Sequence, residues 1–219
     1  VTFAYQGEVE HRDSSGGGGV IKPGDVQWMT AGRGVVHDEF HSVAFSKKGG
    51  VFEMVQLWVN LPKQNKMTKP KYQELKSENI PSVNLGNGTK LRVIAGDYQG
   101  IKGPSLTFTP INIYDIISKS YKDISLKFNN NTNTIILIMS GELEIGKETF
   151  KEKNILIFEK EGETIYFTLS KGFKGLILNS EPIDEPIVAH GPFIMNTKEE
   201  IIEAIEDFQN GKMGNLFSY

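Results

Sequence analysis

Apolar and polar positions alternate with a period of two along most of this chain, the mark of β-strands with one buried face. Short runs of this kind occupy residues 1–5, 91–95, 111–117, 124–128, 134–139, 154–158, 163–169 and 175–178, with Gly, Asn, Asp and Pro between them. The run 51–61 is apolar on both faces: Phe52, Met54 and Trp58 on one, Val55, Leu57, Val59 and Leu61 on the other. That pattern predicts a strand covered on both sides. Many short strands with turn signals between them predict an all-β sandwich or barrel. Near the end the period changes. Ile201, Ile202, Ala204, Ile205 and Phe208 form a helical stripe. Thr197 and Glu200 have capping-box spacing ahead of it, and Gly211 can stop it, so a helix is expected from about Thr197 to Asn210.

An internal echo organises the rest. Tyr5-Gln-Gly-Glu-Val-Glu10 resembles Met139-Ser-Gly-Glu-Leu-Glu144, and each follows an apolar strand. Each is followed by a second turn and another apolar strand: Pro23-Gly24-Asp25-Val26 in one case, Glu152-Lys153-Asn154-Ile155 in the other. A Gly-rich insert, Ser14 to Gly19, lengthens the first copy. The echo predicts a duplicated barrel: residues 1–100, residues 103–185, and a closing segment, 186–219, that leaves the second barrel at Pro182 and Pro186 and packs Phe193, Ile194 and Met195 across the domains. The stretch 61–81, with three prolines and several lysines, reads as a surface connection holding a short helical turn.

Composition narrows the function classes. A net charge of −3 over 219 residues gives no basic footprint, so direct grip on nucleic acid is not expected. No apolar run approaches membrane-spanning length. No targeting signal is legible, and a cytoplasmic location is expected, with the nucleus added for a eukaryotic source. The chain opens at Val1 inside a strand rather than at Met, which leads us to expect a missing N-terminal part. With no cysteine, any metal must rest on His, carboxylate or water. Asn87-Gly-Thr89 and Asn130-Asn-Thr132 fit a glycosylation pattern and read as turns.

The leading chemical candidate is His37-Asp38-Glu39. On a strand, His37 and Glu39 share a face and Asp38 turns away. One imidazole and one carboxylate suit a hard or borderline cation; with further histidines they make the set used by non-haem Fe(II) oxygenases. On spacing alone two readings stay open: a metal pair, or a cleft pair that holds no metal. His41 falls on the same face and is either a third ligand or a rim residue. His11 ends the first hairpin strand, where it is expected to be hydrogen-bonded or solvated, and His190 reads as structural.

Three stretches resemble the pirin family, and the likeness covers nearly the whole chain. The first runs from Gly7-Glu-Val-Glu-His-Arg-Asp13 to Pro23-Gly-Asp-Val-Gln-Trp-Met-Thr-Ala-Gly-Arg-Gly-Val-Val-His-Asp-Glu39. The second is Gln56-Leu-Trp-Val-Asn-Leu-Pro62 with Pro70-Lys-Tyr-Gln-Glu74, and the third is His190-Gly-Pro-Phe-Ile-Met-Asn-Thr197. The resemblance implies a bicupin: two jelly-roll (double-stranded β-helix) barrels with a C-terminal helix. It implies one metal, Fe(II) or another divalent ion, on three histidines and a glutamate in the first barrel. His37 and Glu39 would be the third histidine and the glutamate. Two further histidines would lie upstream of Val1 in an H-P-H-R-G-F-E type segment. The second barrel would be metal-free, in keeping with the lack of histidine between His41 and His190. Two functions follow from the likeness. One is a quercetin 2,3-dioxygenase that opens a flavonol ring with O₂, the metal binding the deprotonated 3-hydroxyl and Glu39 serving as ligand and proton acceptor. The other is a metal- or redox-dependent partner of transcription factors or metabolic enzymes.

Overall fold

The computed structural model describes residues 1–216. Twenty-one strands and three α-helices make up those residues. The first seven strands are β1 (Thr2–Gln6), β2 (Val9–Asp13), β3 (Gly18–Ile21), β4 (Val26–Thr30), β5 (His37–His41), β6 (Glu53–Gln56) and β7 (Lys71–Leu75). Helices α1 (Val43–Lys48) and α2 (Lys63–Lys66) interrupt them. Next come β8 (Ser82–Gly86), β9 (Thr89–Ala95), β10 (Asp97–Tyr98), β11 (Ile101–Lys102), β12 (Ile111–Ile117), β13 (Lys122–Lys127) and β14 (Asn133–Ser140). They continue through β15 (Glu142–Ile145), β16 (Glu148–Lys151), β17 (Ile155–Phe158), β18 (Thr164–Leu169) and β19 (Lys174–Ser180). The chain closes with β20 (Val188–His190), β21 (Phe193–Met195) and α3 (Lys198–Gln209).

Contacts divide the chain into two compact units, 1–77 with 183–219 and 78–182. Each is built from two antiparallel sheets, the jelly-roll pattern of a cupin. In the first unit the sheets run β6-β1-β4-β7 and β3-β2-β5. In the second they run β17-β14-β19-β12-β9-β8 and β13-β18-β15-β16. The division falls earlier than the boundary expected near residue 100. Strands β8 and β9 lie before that point, yet β9 is hydrogen-bonded to β12 along Ile113–Ile117, which ties both to the second unit. The closing segment is counted with the first unit, where buried Lys66 donates to the Ile194 carbonyl (3.3 Å).

The strand expected over 51–61 is a correction. Only Glu53–Gln56 is strand, and Val51, Phe52, Met54 and Trp58 are exposed. The connection 61–81 also holds more than a helical turn, since β7 pairs with β4 from Val26–Leu75 to Thr30–Lys71. The C-terminal helix matches its local signals. Thr197 Oγ1 accepts from Glu200 N (3.2 Å) and Glu200 Oε2 accepts from Thr197 N (3.0 Å), a complete capping box. Gly211 follows at φ 73°, the left-handed conformation that ends helices. No helix among the described residues is long and apolar enough to cross a membrane.

The two units repeat a hairpin in atomic detail. Gly7 and Gly141 end β1 and β14 at φ 81° and 75°. In the first unit Gly24 N donates to Ala4 O (2.8 Å), Ala4 N donates to Asp25 O (3.2 Å), and Lys22 N donates to Asp25 Oδ2 (3.1 Å). In the second, Lys153 N donates to Ile138 O (2.8 Å), Ile138 N to Asn154 O (3.0 Å), and Lys151 N to Asn154 Oδ1 (3.2 Å). Gly7 thus corresponds to Gly141, Ala4 to Ile138 and Asp25 to Asn154.

The interiors differ sharply. The second unit is filled by Leu91, Val93, Ile116, Leu126, Ile136, Leu143, Phe167, Ile177 and other buried apolar side chains. Each fully buried side chain of this kind contributes roughly 1.5–3 kcal/mol. In the first unit Thr2, His11, Asp13 and Gln27 are buried alongside apolar residues such as Phe3, Val9, Ile21 and Trp28.

Candidate functional site

The polar interior of the first unit gathers around Glu39 on β5. Cross-strand pairing sets His11 of β2 directly opposite Glu39, and Asp13 opposite His37. Thr2 on β1 lies between Gln27 on β4 and Gln56 on β6 in the other sheet. Gln27 Nε2 donates to Glu39 Oε1 and to Thr2 Oγ1 (3.3 Å), and Tyr72 Oη donates to Gln27 Oε1 (3.2 Å). Gln56 Nε2 donates to Glu39 Oε2 (2.7 Å), so both carboxylate oxygens are held.

His11 stands between two carboxylates. Its Nε2 is 3.2 Å from Asp13 Oδ2 and its Nδ1 is 3.6 Å from Glu39 Oε1. The second separation suits an ion pair rather than a hydrogen bond, and Nδ1 has no hydrogen-bond partner. Its ring stacks on Tyr72 at 4.9 Å and on His37 at 5.5 Å between centroids. Burial opposes the imidazolium, but the Glu39 and Asp13 carboxylates outweigh it and raise the pKa of His11. Facing His11 holds Glu39 below the usual glutamate range against the opposing effect of burial. Burial would raise Asp13, yet donors from Ser15 and Gly17, with His11, bring it down. Burial pushes the Tyr72 phenol up, and Glu74, Asp13 and Glu39 add to the shift.

Of the residues singled out from sequence, His37 and Glu39 both approach His11. His37 is exposed, its ring stacked on that of His11. His41 stays outside the group, edge-on to Phe45 (5.3 Å) and Phe52 (4.5 Å). His190 is exposed, at the end of β20 in the hairpin β20–β21. His11 was expected to be hydrogen-bonded or solvated at a strand end; it is hydrogen-bonded, to Asp13, and it is also the buried centre of the site. The echo carried the signal, because it sets His11 opposite Ile145, an inward position.

That correspondence extends to the whole site. Val9 pairs with His41, and its counterpart Leu143 pairs with Leu169. Glu39 therefore matches Phe167, and His37 matches Ile165. Thr2 pairs with Gln56, and its counterpart Ile136 pairs with Ile177. Gln27 follows Asp25 by two residues, as Leu156 follows Asn154. Six polar residues of the first unit thus occupy places that Ile136, Ile145, Leu156, Ile165, Phe167 and Ile177 fill in the second, all within or against its apolar core. One barrel is solid; the other keeps a polar chamber.

The donors themselves test whether a metal fits. An exposed imidazole and a carboxylate two residues away are apt ligands for a divalent cation. Among the described residues, however, no group of three or more His, Cys, Asp or Glu converges as a cation site, and Glu39 is engaged by Gln27 and Gln56. These residues supply part of a ligand set and do not complete one.

Comparison with known proteins agrees with this architecture. The family model described as Pirin matches residues 1–59, and the Pirin C-terminal cupin domain matches residues 113–214. A Pseudomonas aeruginosa protein provisionally named quercetin 2,3-dioxygenase is 45% identical, the match covering 97% of this chain and 74% of that protein. Rat pirin is 38% identical, over 95% of this chain and 71% of its own. A crystal structure of quercetin 2,3-dioxygenase from Acinetobacter baumannii superposes with a TM-score of 0.93 at 47% identity, covering 99% of this chain and 76% of the other.

Proposed function

The chain belongs to the pirin family, and from that premise we propose that its first unit carries the His37–Glu39 part of a metal-dependent dioxygenase site of the quercetin 2,3-dioxygenase type. The observation that carries the reading is the polar chamber around Glu39, which the matching positions of the second unit fill with Ile, Leu and Phe. Polar groups cost stability when buried, so Thr2, His11 and Gln27, buried beside half-buried Glu39 and replaced by apolar residues in the twin barrel, point to use.

His37 and Glu39 are the ligands this chain contributes, and two upstream histidines complete the set that the family resemblance implies. The ion, Fe(II) or another divalent metal, supplies a Lewis acid for a flavonol oxygen. The chain's own groups do the rest. Glu39, kept ionised by His11, accepts the proton of the flavonol 3-hydroxyl. Gln27 and Gln56 fix the plane of its carboxylate. His11, held by Asp13, backs both Glu39 and the ring of His37.

The test compares this chain with a version preceded by an H-P-H-R-G-F-E type segment. Bound metal and loss of quercetin absorbance under O₂ are measured on both. The extended protein should hold one ion per chain and consume quercetin, whereas the shorter one should bind weakly and turn over little. In the extended protein His37→Ala should lose most of the metal and His190→Ala should not. Tight metal binding through His41 or His190 would overturn the site. Loaded, extended protein without turnover would overturn the activity and favour a binding role with a protein partner.

A further inference from the structure

We propose that β17, at a free edge of the larger sheet in the second unit, pairs antiparallel with β17 of a second copy of this chain. The strand reads Ile155-Leu-Ile-Phe158 and is hydrogen-bonded on one side only, to β14. Ile138 N donates to Asn154 O (3.0 Å), which fixes the phase of that ladder. Hydrogen-bonded and non-hydrogen-bonded pairs alternate along antiparallel strands, so the N–H and C=O groups of Leu156 and Phe158 face β14. Those of Ile155 and Ile157 face outward, with no partner among the described residues.

The side chains at this edge are unguarded as well. Leu156 and Phe158 join the core, whereas Ile155 is 62% exposed and Ile157 78%. Sheet edges are ordinarily protected by charged or polar side chains. The other three edges of the unit's two main sheets follow that rule. Their exposed residues are Ser82 and Asn84 on β8, Asp123, Ser125 and Lys127 on β13, and Glu148, Thr149 and Lys151 on β16. Of the four, β17 is the one that presents β-branched apolar side chains. Ile135 and Leu137 of β14, opposite Ile157 and Ile155, are only partly buried and widen the apolar strip.

Symmetry and charge point to a second copy as the occupant. A two-fold axis normal to the sheet keeps each face on its own side, so such a pairing must centre on a residue that stands opposite itself. With Leu156 at the centre, Ile155 of each copy faces Ile157 of the other, and their outward N–H and C=O groups meet in hydrogen-bonded pairs. The same register brings Lys153, ahead of the strand, toward Glu159, just after it, at both ends. Both are exposed. Lys153 has only a surface contact with Glu152 to exchange (3.9 Å), and Glu159 makes no ion pair among the described residues. Opposite charges facing across a strand pair are favourable. Centring on Ile157 would instead set Ile155 against Glu159, and centring on Ile155 would set Lys153 against Ile157. The strand is four residues long. That is less than a standard stable interface needs, so the dimer should be weak, with a Kd on the order of 100 µM.

Sedimentation velocity on the full chain, over a concentration series spanning that value, should show a monomer–dimer equilibrium. Hydrogen exchange at the Ile155 and Ile157 amides should slow as concentration rises, while the Leu156 and Phe158 amides, already bonded to β14, stay unchanged. Ile157→Lys should abolish dimerisation and leave circular dichroism unaltered. Lys153→Glu and Glu159→Lys should each weaken self-association about tenfold, because each sets like charges at both ends. Mixed together, these two variants should form a heterodimer, since every end then joins opposite charges. A chain that stays monomeric through the series, a dimer that survives Ile157→Lys, or single variants that do not complement each other would overturn the proposal. A monomer that instead binds an added Val/Ile-rich strand peptide at this edge would assign the edge to a different protein and overturn it too.

Discussion

His11 and Glu39 are cross-strand partners whose facing atoms, Nδ1 and Oε1, lie 3.6 Å apart, with Asp13 3.2 Å from the other ring nitrogen. A buried imidazole between two carboxylates is stable only while all three remain together. His11→Phe preserves most of the ring volume and removes both polar contacts, leaving Glu39 and Asp13 short of a partner. It should destabilise the first unit by about 3 kcal/mol, read as a lower urea midpoint. A loss under about 0.5 kcal/mol would mean that the cluster does not hold the sheets together.

The same cluster sets a pH dependence. The folded-state pKa of His11 is raised above that of an unfolded histidine, about 6.5. Its contribution to stability is therefore full below about pH 6.5 and fades as pH rises through the folded-state value. Glu39 and Asp13 have depressed values and behave oppositely. Their contribution is present above the unfolded carboxylate range and is lost as pH falls through the folded-state values. Imidazole NMR should show His11 protonated beyond the ordinary range, and Asp13→Asn should lower its pKa. A His11 signal titrating at or below about 6.5 would refute the ion-pair description.

The sequence made some of this legible and hid the rest, for physical reasons. The capping box of α3 is a local rule, readable from Thr197 and Glu200 alone. The duplication is legible because Gly7 and Gly141 both need the left-handed conformation and so repeat as glycine. His37 and Glu39 are two apart, and strand alternation puts them on one face. His11 meets Glu39 only through the register of β2 on β5, across 28 residues, and no local spacing encodes that. The overestimated strand at 51–61 fails for a similar reason. Its pattern is apolar on both faces, but only residues 53–56 form strand against β1, extended by the Leu57–Val1 hydrogen bonds (2.8 and 2.9 Å), and no pairing continues the strand beyond Leu57.

The approach to His37 depends on a close backbone crossing. Gly32 has φ 53°, and a Cβ there would collide with the carbonyl oxygen of Thr68, which accepts from Arg33 N (2.9 Å). Gly32→Ala should cost roughly 2 kcal/mol or more from strain and collision together. Hydrogen exchange at Arg33 and along Val36–His37 should accelerate in the variant. Unchanged exchange there would show that the crossing does not position His37.

The correspondence between the two barrels yields the most demanding prediction. If the polar chamber exists for function, an apolar chamber should be structurally acceptable in its place. The replacements follow from the matched positions: Thr2→Ile, His11→Ile, Gln27→Leu, His37→Ile, Glu39→Phe and Gln56→Ile. Tyr72→Phe is added because Tyr72 would lose its acceptor on Gln27. Asp13 keeps three donors on Oδ1, Ser15 N (2.8 Å), Ser15 Oγ (2.6 Å) and Gly17 N (3.0 Å), but Oδ2 loses His11, a cost that the new apolar packing must offset. Glu39→Phe alone should destabilise by about 1–3 kcal/mol, because Gln27 and Gln56 lose their carboxylate acceptor and His11 loses an ion-pair partner. The combined variant should match or exceed the parent in stability, since exchanging a buried ionic group for packed apolar residues is often neutral or worth about 1–4 kcal/mol. Denaturation midpoints and bound metal decide the matter together. A combined variant that folds stably and binds no metal separates the chamber's chemistry from the barrel's stability. One that fails to fold, while the second unit stays intact on proteolysis, would show that the polar set is structural and that its absence from the second barrel reflects a different way of packing the same hairpins.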